Sequence, residues 1–282
     1  MPIPIREDVA YILLRKINES GQGMHEVGFT EADLAGRRLT MAELLGHLDY
    51  LNQMQFIKAE FTGNAYANQE DVPSATNPQE FDFRIANSFG SPDGPLPHLI
   101  TFKAAELTEK GRKILERMEQ NPPHELDEGP SVPIATEDMP FLEKVMLKAN
   151  LEDVFDARDA TEVVFRTMRD TMTKEASDRV ASELHEMAEP TEDKALQNEI
   201  ADLWNDTNPI TRWLSRVRPP LKIKSGTFLF RVNQEAGLPR AVGAESLIEA
   251  VFWATKSELS EERIQEIASF LPSEIKELWN KA

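Results

Sequence analysis

The chain has 282 residues, 40% hydrophobic and 28% charged, enough for two domains that each bury a core. It has no cysteine, which excludes disulfides, thiolate metal sites and cysteine nucleophiles and fits a reducing compartment. The formal net charge of −18 repels nucleic acid and anionic membranes at long range, although a local basic patch can still act at contact. No apolar run approaches the ~18 residues that span a bilayer. The prolines and acids of the first eight residues are unlike a signal peptide. The expectation is a cytoplasmic protein without membrane insertion.

Val9, Ile12, Leu13 and Ile17 recur at helical spacing and predict a helix from about Arg6 to Ser20, ended by Gly21 and Gly23. Thr30 with Asp33 three places later has the signature of a helix start, and Thr40 with Glu43 repeats it. The helix from about Thr40 to Gln55 carries Leu44, Leu45, Leu48, Leu51 and Met54 as its predicted buried stripe. Phe56 to Phe61 and Leu99 to Ala104 read as strands, and Phe81 to Ile85 alternates like an extra strand between them. Thr108 is expected to cap a following helix, with Leu115 and Met118 inward.

Three helices, a strand, a long loop, a strand and a helix resemble a winged helix-turn-helix over residues 1–120. The resemblance implies an α+β domain with a small antiparallel wing. It also implies that the helix from Thr40 enters a DNA major groove. His47, Tyr50, Asn52 and Gln53 are then the candidate contacts, with Arg37 and Arg38 reaching phosphates. Yet that helix carries Glu43 and Asp49 and no Lys or Arg, and residues 1–120 hold 12 basic against 18 acidic residues. The topology points to DNA, which would require a homodimer. The charge points to a module that binds another protein or dimerises.

Residues 121–140 contain five prolines and no Lys or Arg, the composition of an extended acidic linker at a domain boundary.

Beyond it, an 87-residue shift aligns residues 141–184 with 228–271 at 13 identities in 44 positions. Phe141/Phe228, Val145/Val232, Val164/Val251 and Phe165/Phe252 are among them, apolar and at helical spacing. The segment from Leu196 to Trp204 matches that from Leu271 to Trp279 at an offset of 75, so the first copy holds a 12-residue insertion between His185 and Ala195. Such self-similarity predicts a duplicated all-helical domain over 141–282, with repeats at 141–206 and 228–281, four helices each. The pattern of Phe228-Leu229, Val232, Gly237-Leu238 and the segment from Ala268 through Leu271-Pro272 to Trp279 resembles the bacterial domain-of-unknown-function family 2267. That resemblance implies a small helical module and no established activity. The first copy departs from it, with Leu184-His185 where Leu-Pro stands in the second.

Between the copies, Arg212, Arg216, Arg218, Lys222 and Lys224 occur with no acid from Ile210 to Ser225. This segment is either a contact for an acidic protein surface, a nucleic-acid backbone or anionic lipid, or a connector whose apolar residues pack on the modules and whose cations pair with nearby acids. The five histidines are scattered, and neither a phosphate-cradling glycine loop nor a nucleophile elbow is present. No catalytic, cofactor or metal residues are expected. The sequence thus predicts a mainly α protein, non-enzymatic, acting as a regulator or adaptor through another protein. A winged-helix DNA-binding regulator is the alternative.

Overall fold

The computed structural model describes residues 3–63, 89–92, 94–97, 100–123, 126, 133–186, 199–205, 220–238 and 242–282. The chain divides into two compact units, Met1–Pro140 and Phe141–Ala282. The first is α+β with a small antiparallel sheet, and the second is all helical.

In the first unit, α1 (Glu7–Ser20) turns Val9, Ile12, Leu13 and Ile17 into the core as the spacing predicts. A two-residue strand, β1 (His25–Glu26), follows; it is too short to leave a sequence pattern. Helix α2 (Met41–Gln53) opens on a complete capping box, Thr40 with Glu43. Of its expected stripe, Leu45, Leu48 and Leu51 are buried, while Leu44 and Met54 are half-buried. Strands β2 (Ile57–Gly63) and β3 (Ile100–Leu107) pair antiparallel, and the sheet order is β1-β3-β2. Helix α3 (Glu109–Gln120) is capped by the Thr108 hydroxyl, which accepts from the Gly111 N–H at 2.9 Å. The segment 81–85, expected as an extra strand, lies outside the described residues.

Two expectations are corrected. Thr30 and Asp33 exchange hydrogen bonds as a capping box does, but no helix follows. Ala35 and Gly36 adopt φ of 50° and 77°, which ends the turn before it can propagate. Asp33 also accepts from Lys16 Nζ, and this bond, with those from Thr30, holds its carboxyl well below the usual carboxylate range. The second correction concerns 121–140. Its described residues are no free spacer: Leu126, Ile134 and Met139 pack on the first unit's core, and the Ile134 N–H donates to the Ile5 carbonyl at 2.7 Å.

The second unit contains eight helices among the described residues: α4 (Phe141–Ala149), α5 (Val154–Thr171), α6 (Lys174–Glu186), α7 (Glu199–Trp204), α8 (Ser225–Glu235), α9 (Ala244–Lys256), α10 (Glu261–Phe270) and α11 (Ser273–Lys281). Phe165 meets Trp204 edge to face at 5.0 Å between ring centroids, and Phe252 meets Trp279 in the same manner at 4.9 Å. All four rings are buried. Each indole N–H finds a backbone carbonyl, that of Ser177 for Trp204 and that of Ile264 for Trp279. The packing is crossed: α4 lies against α9, and α8 lies against α5. The 12-residue insertion inferred near 185–195 falls mostly outside the described residues.

Candidate functional site

Helix α2 and the turn before it hold the first set of candidate contacts. His47 is fully buried. Its Nε2 accepts the Arg6 backbone N–H at 3.0 Å, and its Nδ1 lies 2.7 Å from the Glu43 carbonyl, so the ring is a neutral tautomer protonated at Nδ1. Burial is the main cause that pushes its pKa down to about 4, with the Arg6 charge adding to it. Glu43 is also held below its ordinary value. Its partial burial pushes upward, but the Thr40 N–H and hydroxyl outweigh this. Tyr50 is buried against Phe56 and Phe89, and its hydroxyl donates to the Asp138 carbonyl at 3.2 Å. Burial raises its pKa further above the usual phenol value. Asn52 is buried with Oδ1 accepting the Ala59 N–H at 3.1 Å. Gln53 is half-buried and donates to Asp49 at 2.7 Å.

These positions correct the expectation of an outward recognition face. His47, Tyr50 and Asn52 fasten α2 to the chain entering α1, to the segment near 138 and to β2. Each of the three makes a hydrogen bond inside the unit, although the buried Asn52 Nδ2 has no partner among the described residues. Arg37 is committed as well, its guanidinium donating to the Asp8 carboxylate. Of the set, Arg38 alone is exposed.

The second set is only partly described. Arg212, Arg216 and Arg218 lie outside the described residues. Lys222 and Lys224 are exposed, while Leu221 and Ile223 between them are half-buried. The Leu221 N–H donates to the Asp170 carbonyl at 2.7 Å, so this end of the segment runs along α5. Beside it lies an open depression of about 480 Å³, lined by Thr171, Leu221, Ile223, Phe270, Leu271 and Pro272. Its walls are mainly apolar, and Lys222 is the one charged residue among them.

A cluster that the sequence reading did not single out joins α6 to α10. Arg179 donates to Glu266 through Nε at 3.2 Å and through a second, shorter bond from its terminal nitrogen. Arg263, buried on α10, contacts Glu262, Glu266 and, at 3.5 Å, Glu183. Glu183 accepts in turn from the Ser260 hydroxyl at 3.0 Å. The bond from Arg179 is the largest cause holding the Glu266 carboxyl low. The charged residue types were visible in the sequence, but nothing in it showed that these helices meet.

Among the described residues no group of three or more His, Asp or Glu side chains could hold a metal ion. No described helix is long and apolar enough to cross a membrane. The family model described as "Uncharacterized conserved protein (DUF2267)" matches residues 138–278. No curated protein matches the chain.

Proposed function

From a chain that belongs to the DUF2267 family through residues 138–278, we propose a cytoplasmic, non-enzymatic adaptor or regulator that works by contacting another protein. The observation that carries this reading is the inward turn of α2. A helix whose His, Tyr and Asn are buried and hydrogen-bonded within the unit presents little with which to read base edges. The charge of −18 and the two acids on α2 favour a protein surface as partner over a phosphate backbone.

Two finer readings accompany it. In the first unit, the sheet order β1-β3-β2, with α2 before β2 and α3 after β3, supports a likeness to a winged helix, kept here as a scaffold. In the second unit, internal duplication is supported by the matched environments of the two tryptophans. Phe165 and Phe252 are 87 residues apart, and so are Ser177 and Ile264, whose carbonyls accept from the two indoles.

The test uses the full chain in two assays. Affinity capture from native lysate at gentle salt should recover a specific protein in near-stoichiometric amount. A shift assay on genomic DNA fragments should show no tight complex. Tight DNA binding that weakens steeply with salt and disappears in Arg38→Ala would overturn the proposal in favour of a DNA-binding regulator.

A further inference from the structure

We propose that the two four-helix segments of the second unit are each other's binding partners through a two-fold-like face whose charges favour unlike over like pairing. This rests on the duplication reading and goes beyond it, because duplicated segments need not face one another.

The evidence is the reciprocity of the contacts. Lys144 on α4 reaches Ser257 at 3.0 Å and Glu258 at 3.2 Å, just past α9. Moving each position by 87 residues predicts a contact between Arg231 and residues 170–171, and Arg231 on α8 donates to Asp170 at 2.7 Å. Lys148 stands over the Trp253 ring at 5.1 Å, and the same operation turns that pair into Glu235 with Arg166, an ion pair at 3.2 Å. Arg179 and Glu266 are themselves 87 residues apart and touch, so they sit where a two-fold axis would pass. A contact of i with j matched by one of i′ with j′ is the signature of an isologous interface between two subunits, here carried on one chain.

The charges decide which pairings are favoured. If the first segment met a second copy of itself, Arg179 would face Arg179, and Lys148 would face Arg166 twice. If the second met itself, Glu266 would face Glu266. Only the unlike pairing sets opposite charges on the axis. The Lys144 and Arg231 contacts are attractive in every pairing, so they supply affinity, while the axial and flanking pairs supply specificity. The face therefore fits the companion segment of the same chain, and it discourages homodimers built from like segments.

The test cuts the full chain at a protease sequence inserted between Asn205 and Pro220. After cleavage the two fragments should co-elute at the mass of the intact protein. Arg179→Glu should weaken their association about fivefold, and Arg179→Glu with Glu266→Arg should restore it to within about twofold. Arg166→Glu, alone and with Glu235→Arg, gives an independent pair at exposed positions where folding is not at stake. Fragments that separate on cleavage would overturn the pairing. Fragments that stay together with no rescue in either double variant would overturn the charge assignment. Neither result bears on duplication, which fails separately if Trp204→Ala and Trp279→Ala differ grossly in their effect on the second unit's stability.

Discussion

Arg37 lays its guanidinium against the carboxylate of Asp8, whose side chain is wholly shielded from solvent. The pair ties the turn before α2 to the first turn of α1. Arg37→Ala would leave that carboxylate buried without its cation. The expected loss is about 3 kcal/mol of first-unit stability, measured by urea denaturation. Arg38→Ala, at an exposed position, should change the same midpoint negligibly. Loss of any binding activity in an Arg37 variant is therefore to be read as unfolding until Arg38→Ala reproduces it.

His47 predicts how the first unit responds to acid. Its folded-state pKa is about 4, against an ordinary value of 6.5. The unfolded chain thus takes up the proton first, and stability falls as pH drops from about 6.5 towards 4. Below that range both states are protonated and this contribution is gone. The full loss is about 3 kcal/mol. Denaturation curves between pH 7 and 4 should show it, and His47→Gln should flatten that segment. Asp33 acts lower on the scale. Its depressed pKa adds stability that is lost as pH falls below the ordinary carboxylate range.

Gly111 lies where α3 passes the start of β2. A Cβ built there would run into the backbone carbonyl oxygen of Phe56, and backbone cannot move aside as a side-chain tip can. Gly111→Ala should cost about 3 kcal/mol despite the better helix propensity of alanine. Thermal denaturation of the variant checks this; an unchanged or raised midpoint would show that the two elements are free to part.

Trp204 and Trp279 each fill a sealed site with an edge-to-face ring and a satisfied N–H. Truncation of either to alanine should cost about 3–5 kcal/mol in the second unit. Tryptophan fluorescence of the remaining residues during chemical denaturation reads the loss.

Local signals in the sequence were legible where their cause is local. Thr40 with Glu43 and Thr108 with Gly111 cap the expected helices because capping needs only residues three apart. Thr30 with Asp33 makes the same bonds, yet the left-handed backbone at Ala35 and Gly36 cancels the helix, and Ala35 gives no warning of this. The polar set of α2 turns inward for a different reason. His47 and Asn52 are buried because donors arrive from Arg6 and Ala59, and no periodicity records where a distant donor will land. The matched apolar positions of the second unit, Phe165 with Phe252 above all, were readable because sealed sites tolerate few residue types. The charges across the face between its two segments were not, since an ion pair between distant segments such as Lys144 with Glu258 leaves no periodicity in either one.

The crossed packing of α4 on α9 also sets an order of events during synthesis. The face of α4 is covered by a helix made roughly a hundred residues later, so the early helices leave the ribosome with an apolar flank waiting for its cover. Until α9 emerges, that flank is available to chaperones or to neighbouring nascent chains. Premature termination after α7 would therefore release a polypeptide prone to aggregate rather than a smaller working protein.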